Sequence, residues 1–279
     1  MKLGIAIFGA SSAAAGILDL VWHEFEPDHQ PLQAWGDHIP GVTFFAYIAA
    51  VWLIVGGAAL LWRKSMRFGA AALAILYGIF VLFPLPRFYS APHYLGHRLS
   101  VYIGVVSNIC EQVVVFVAAA TLWWWLSAPN TQSQKTALLA RCAFGFCPLA
   151  FGVGNLTAID SVTPLVPKWL PPGVTFWAIL TGIAFAMAGL AIISGVLDVL
   201  AARLLGWMLL VFSAFALLPL IFASPRDHTA WGGNAYNLTV VGAAWIIAEW
   251  LAGRRQSVPA NLLPQEPLTG IDSPTVRLV

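Results

Sequence analysis

The sequence predicts an all-α polytopic membrane protein with eight transmembrane helices, arranged as two parallel four-helix repeats. Of its 279 residues, 59% are hydrophobic and 9% are charged, whereas soluble domains carry roughly 25% charged residues. A helix needs roughly 20 apolar residues to cross a bilayer. Eight runs meet this length: 3–22, 40–62, 68–86, 99–126, 138–159, 173–194, 204–223 and 235–252. Their continuous apolar character, without strand alternation, favours helices over a barrel.

An internal repeat supports this architecture. Residues 40–61 align without a gap with residues 172–193, agree at 8 of 22 positions, and share the start Pro-Gly-Val-Thr-Phe. Phe8-Gly9 likewise matches Phe144-Gly145, so the first apolar run is interpreted as a retained span. Because each unit has an even number of helices, both units face the same way. The predicted divisions are a first unit at 1–126, a cytoplasmic linker at 127–137, a second unit at 138–252 and a disordered cytoplasmic tail at 253–279.

The basic residues predict the orientation, because cytoplasmic loops carry an excess of Lys and Arg. With the N-terminus inside, the cytoplasmic side holds most of the 14 basic residues: Lys2, Arg63, Lys64, Arg67, Lys135, Arg141, Arg203, Arg254, Arg255 and Arg277. We therefore expect a multi-pass protein of a cell membrane, the bacterial inner membrane, with both termini cytoplasmic. Its surrounding partner is the lipid bilayer, and the absence of a basic stripe argues against a nucleic-acid partner.

Polar residues gather on the predicted outer side, and mainly in the first unit. All six histidines fall there: His23, His29, His38, His93, His97 and His228. Asp19 and His23 are four residues apart, which places them on one face of a helix, and Glu24 follows directly. Two interpretations remain open, an ion pair that anchors the end of the helix and a site that contacts a ligand.

A second candidate cluster follows the third apolar run. It consists of Arg87, Tyr89, His93, His97 and Arg98. Two Arg and two His beside aromatic rings suit an anion or the polar head of a ring compound. The spacing of the two histidines also suits zinc, but Pro92 and Gly96 indicate a loop or a single helical turn and no third ligand is visible, so no metal site is predicted. A solvated loop anchored by its aromatic residues is the alternative.

One acid lies in the middle of a predicted span. Glu111 falls about a dozen residues into the fourth run, and Asn108 lies one helical turn before it. An ionisable side chain at this depth is a functional hypothesis by default. Glu111 with Asn108 is therefore predicted either to relay protons or to form a hydrogen bond that fixes helix packing.

The motifs of each half together resemble a known family. The first half has a Phe-Gly start at Phe8-Gly9, a second helix led by Pro40 with Gly56-Gly57, and the basic turn Arg63-Lys64. Each half resembles the DoxX-like membrane domain, so that residues 3–252 look like a tandem pair. The family takes its name from a subunit of a thiosulfate:quinone oxidoreductase. The resemblance implies a quinone as cofactor and a redox or thiol-handling protein as partner.

Three functions are consistent with these observations. The first is a redox-associated, quinone-linked membrane component with a polar site on the extracytoplasmic side of the first half. The second is a non-catalytic scaffold or assembly partner, and the third is a small-molecule permease that uses the interface between the halves. The sequence identifies no catalytic residue and leaves open whether the protein is an enzyme.

Overall fold

The computed structural model describes residues 2–27, 40–128 and 133–256, and these residues form helices and turns without a strand. The first half contains α1 (Lys2–Trp22), α2 (Val42–Leu61), α3 (Met66–Leu82), α4 (Arg87–Leu95) and α5 (Leu99–Ser127). The second half contains α6 (Gln134–Thr157), α7 (Ile159–Val162), α8 (Val174–Ser194), α9 (Asp198–Phe212), α10 (Leu218–Ala223) and α11 (His228–Gln256). A π-helical segment, Ser213–Leu217, joins α9 to α10. The all-α prediction is confirmed.

Most of these helices are long and apolar enough to cross a membrane. Within the described residues seven helices qualify, with α9 and α10 taken as one continuous helix. An eighth span results if α3 and α4, which are bent by 46° relative to each other, are counted together. The prediction of a multi-pass membrane protein is confirmed at this level.

Several helices begin before the apolar runs that predicted them. Helix α6 begins at Gln134, inside the predicted linker, and α11 begins at His228 rather than at residue 235. Helix α9 begins at Asp198 rather than at residue 204. The added turns carry polar side chains, which lower the local hydropathy without preventing the helical hydrogen bonds. Hydropathy therefore identified the apolar cores of these helices and not their ends.

The long helices form a closed ring of neighbours. Each packs against the next in the order α1, α2, α3, α5, α6, α8, α9, α11 and back to α1, and α5 also contacts α11 across the ring. The most enclosed helix is α11. In its apolar 18-residue stretch 72% of the residues are buried, whereas 28% are buried in that of α8. The halves therefore touch each other at three places, α1 against α11, α5 against α6 and α5 against α11.

Glycines allow the first two long helices of each half to cross closely. A Cβ added to Gly9 would lie 2.8 Å from the carbonyl oxygen of Gly57. In the second half, a Cβ added to Gly145 would lie 3.1 Å from the carbonyl oxygen of Gly189. Small residues favour such close backbone approach in lipid. The glycines that the two halves share in sequence thus occupy equivalent helix crossings.

The two sides of the bundle can be told apart by their contacts. The end of α1 meets the start of α11, where the ring of Trp22 stacks on His228. It also meets the start of α2, where His23 contacts Tyr47. We refer to this side as the His228 side and to the opposite one, where α1 begins, as the Lys2 side.

Candidate functional site

A cavity of about 380 Å³, which we call the large cavity, lies between α5, α6, α9 and α11, where the two halves meet. Small-molecule sites in proteins typically measure roughly 300–1,000 Å³. Apolar side chains such as Phe151, Phe185 and Leu209 form most of the wall. Its polar members are Ser100, Ser107, Asn108, Glu111, Asn155, Thr157, Ser161, Tyr236 and Asn237. This composition suits a molecule with an apolar body and a few hydrogen-bonding groups.

Glu111 provides the ionisable group of this cavity. Its Oε2 atom accepts a hydrogen bond from Asn108 Nδ2 at 3.3 Å. Its main-chain oxygen accepts a hydrogen bond from the Tyr236 hydroxyl at 3.0 Å, which connects α5 to α11. The two residues predicted from the fourth apolar run, Asn108 and Glu111, therefore contact each other on the cavity wall. Their role in a proton relay stays a prediction.

Asn237, another polar residue of the cavity wall, hydrogen-bonds to the neighbouring helix where that helix is distorted. Its Nδ2 atom donates to Leu209 O at 2.7 Å and to Ser213 Oγ at 2.8 Å. Ser213 begins the π-helical segment that follows α9, and such segments frequently occur at functional sites. Because both bonds use the amide nitrogen, the amide oxygen of Asn237 keeps its capacity to accept a hydrogen bond.

A second group of polar side chains surrounds His228 at the start of α11. His228 is 4% exposed, and its Nε2 atom lies 3.6 Å from Asp19 Oδ1. Its Nδ1 atom lies 3.4 Å from Glu24 Oε1. The indole of Trp22 stacks on the imidazole with ring centroids 4.9 Å apart and an interplanar angle of 7°. These four residues, Asp19, Trp22, Glu24 and His228, form the His228 cluster, which connects α1 to α11.

The structure changes the expected partner of Asp19. Helix α1 ends at Trp22, and His23 adopts a left-handed conformation with φ of 62°, so the helix face that carries Asp19 does not continue to His23. The ring of His23 instead lies with its Nδ1 atom 2.7 Å from the Tyr47 hydroxyl. The predicted placement of Asp19 and His23 on one helix face is therefore wrong, and His228 lies beside the carboxylate.

The second predicted cluster lies on α4 and the turn that follows it. This segment is a nine-residue helix with Pro92 inside it, rather than a loop or a single turn. Arg87 is buried, whereas Tyr89, His93, His97 and Arg98 are exposed. Both histidines contact a tyrosine: His97 Nδ1 lies 2.9 Å from the Tyr102 hydroxyl, and the His93 ring packs edge-on against Tyr94.

Metal sites in proteins are formed by acid, histidine and cysteine side chains that converge on one point. Within residues 2–27, 40–128 and 133–256, no group of three or more such side chains is placed to hold a metal ion. Asp28, His29, Asp37 and His38, which belong to the predicted outer polar group, lie outside the described residues.

Sequence reasoning did not identify several residues of these sites. In the sequence, His228 precedes the apolar run 235–252, and Tyr236 and Asn237 lie inside that run. The repeat could have identified one further residue, Asn155. It aligns with Asp19 in the repeat, and it lines the large cavity. The repeat therefore indicated that the position carries a polar residue in both halves.

Comparisons with protein-family models, with curated proteins and with solved structures found no match to this chain. The chemistry of the large cavity and of the His228 cluster is therefore the basis for assigning a function.

Proposed function

We propose that this protein is a quinone-linked membrane component and that the large cavity between its halves binds the quinone head group. The supporting observation is the cavity itself, an apolar chamber of about 380 Å³ with an ionisable group and amide side chains on its walls. A quinone ring is largely apolar and presents two carbonyl oxygens, which become hydroxyl groups on reduction. The amide N–H groups of Asn108 and Asn155 donate to the carbonyls, and the Glu111 carboxylate accepts from the hydroxyls.

The position of the cavity in the bundle supports the same proposal. It lies within the membrane-spanning helices, where a lipid-soluble molecule is available, and it is lined by residues of both halves. The DoxX-like resemblance of each half points to quinone chemistry as well. Under the expected orientation the His228 side faces the outside, so a redox or thiol-handling partner would dock there. The exposed side chains of α4, which include Tyr89 and His93, would then form part of its surface.

Binding of duroquinone provides the test, because its fully methylated ring does not add thiols. We expect the purified protein in nanodiscs to bind duroquinone with micromolar affinity. Asn108→Leu and Glu111→Leu remove polar groups from the cavity wall. Each should weaken binding about tenfold, the equivalent of one hydrogen bond of roughly 1.4 kcal/mol. Isothermal titration calorimetry measures both values.

A matched control separates a local effect from a general one. Glu249→Leu makes the same chemical change on α11, but Glu249 pairs with Arg203 at 3.3 Å outside the cavity. This variant should keep the affinity of the unaltered protein. Absence of duroquinone binding in both detergent and nanodiscs, or equal weakening by Glu249→Leu, would reject the proposed site.

A further inference from the structure

A second and much smaller cavity lies on the other side of Tyr236 from the large one. It measures about 20 Å³ and is lined by the polar side chains of Glu26, Tyr77, Gln112, Tyr236 and Thr239. Tyr236 lines both cavities. Consecutive residues of α5 also face the two spaces, since Glu111 lines the large cavity and Gln112 the small one. A single layer of side chains therefore separates the two cavities.

The small cavity has the size and the lining of a site for one water molecule. A space of about 10–15 Å³ holds a water if it offers two to four polar partners. Here Glu26, Gln112 and Thr239 are each no more than 3% exposed, and Tyr77 is 6% exposed. The space is too small for an organic ligand. Hydroxyl, amide and carboxyl groups that share a space of this size inside a lipid-facing bundle are well suited to being bridged by water.

Polar contacts continue from the small cavity to the surface. The Tyr77 hydroxyl lies 3.2 Å from Ser12 Oγ. Thr239, which lines the same cavity, donates a hydrogen bond to Ser11 Oγ at 2.9 Å. The Asp19 carboxylate acts electrostatically on the Tyr77 hydroxyl. Asp19 in turn faces His228, whose other ring nitrogen faces Glu24, a side chain that is 56% exposed.

Glu26 connects the small cavity to the same cluster. It lines the cavity and acts electrostatically on His228. Polar and charged side chains therefore lie between Tyr236 and the solvent on the His228 side: Glu26 at the small cavity, then His228, then the exposed Glu24.

We propose that one water molecule in the small cavity completes a proton route from the large cavity to the His228 cluster. A proton released by a ligand hydroxyl passes to the Tyr236 hydroxyl, whose own O–H turns from the Glu111 carbonyl oxygen toward the water and donates its proton there. The water passes a proton to the Glu26 carboxylate, Glu26 passes it to the His228 cluster, and the exposed Glu24 of that cluster releases it to solvent. Only O–H and N–H bonds form and break, so no oxidant or reductant enters the step.

Such a route has a role when the large cavity is occupied. A ligand that fills the cavity occupies the space beside Glu111, so protons need a path that does not pass the ligand. The proton route rests on the proposed function in one respect, because that function supplies the ligand in the large cavity. The water site itself does not depend on it, and the two can be tested separately.

The water site is tested by hydroxyl-radical footprinting of the whole protein with X-rays, because radicals formed from a bound water label the side chains beside it. We expect labelling of Tyr77 although it is buried, and none of Phe8, which is 0% exposed and lines neither cavity. Ala15 lines the small cavity, so Ala15→Val should fill it and abolish the Tyr77 label. Ala14→Val makes the same change at the neighbouring residue and should preserve the label. An unlabelled Tyr77 in the unaltered protein would overturn the water site.

The proton route is tested with 4-nitrophenol, a ring compound whose absorbance reports its protonation. After a pH jump in a stopped-flow instrument, bound 4-nitrophenol should change colour faster than it leaves the protein. In Ala15→Val and in Glu26→Gln the colour change should slow about 10²-fold or until it equals the rate of probe release, as expected when a positioned proton-transfer group is lost. Ala14→Val should behave like the unaltered protein.

The outcomes separate the two proposals. If 4-nitrophenol and duroquinone fail to bind, the ligand site fails and the proton route fails with it, while footprinting still decides the water site. If 4-nitrophenol binds but its colour change is as slow as its release in the unaltered protein, the proton route is overturned. The same conclusion follows if Ala15→Val leaves the rate unchanged.

Discussion

Replacement of Asp19 by Leu is expected to lower the free energy of unfolding by about 3–5 kcal/mol, the usual effect of removing one partner of a buried ionic pair. His228, which is 4% exposed, would lose the carboxylate 3.6 Å from Nε2 and keep Glu24 at 3.4 Å from Nδ1. The side-chain contact between the end of α1 and the start of α11 would weaken at the same time. The shift in the midpoint of unfolding in sodium dodecyl sulfate, followed by circular dichroism, measures the effect.

Two further variants define the origin of this effect. The double variant Asp19→Leu with His228→Leu should recover part of the loss, because it leaves no buried imidazole without its carboxylate. Glu249→Leu breaks an ion pair whose side chains are 50% and 39% exposed, so it should change the free energy of unfolding by about 1 kcal/mol or less. An effect of Asp19→Leu no larger than that of Glu249→Leu would show that the His228 cluster does not stabilise the fold.

The second large effect is expected at the helix crossings. In Gly57→Ala the new Cβ would lie 2.7 Å from the backbone nitrogen of Ala13 and would also contact the Gly9 carbonyl oxygen. Because these are backbone atoms, α1 and α2 must move apart, and we expect a loss of about 1–3 kcal/mol. Gly189→Ala should have a similar effect, since its Cβ would lie 2.6 Å from both Leu149 N and Gly145 O.

Gly104→Ala is the matched control for this prediction. A Cβ at Gly104 meets nothing within 4 Å, and alanine is a better helix former than glycine by about 1 kcal/mol. The same substitution should therefore stabilise the protein at Gly104 and destabilise it at the two crossings, measured by the same unfolding midpoints. Loss of stability at Gly104, or a gain at Gly57, would contradict this account of the packing.

The fold class could be predicted because the composition and length of an apolar run determine by themselves whether that segment forms a membrane helix. An apolar stretch such as 40–62 has few alternatives to a membrane helix, and the structure contains α2 there. The ends of helices were less predictable. The first turns of α6 and α11 are polar, so their helical state depends on backbone hydrogen bonds that hydropathy does not measure. The bend of 46° between α3 and α4 likewise depends on tertiary contacts.

The site could be predicted only where one residue is informative by itself. Glu111 stood out because a carboxylate is costly inside an apolar run, and it does line a cavity. His228 did not stand out, because its importance arises from contacts with Asp19 and Glu24, which precede it by more than 200 residues. Tyr236 lines both cavities for the same kind of reason, since only the packing of α11 against α5 places it there.

Because α1 packs against α11, the helix contacts do not depend on which half of the protein comes first in the chain. These helices are antiparallel neighbours, so Lys2 and the end of α11 lie on the same side of the bundle. A circular permutant that joins those ends and opens the chain between Ala128 and Ser133 would preserve every helix contact of the ring. In such a molecule the second half would be synthesised first. The order of the two halves in the chain would be reversed, but the arrangement of the helices would be unchanged.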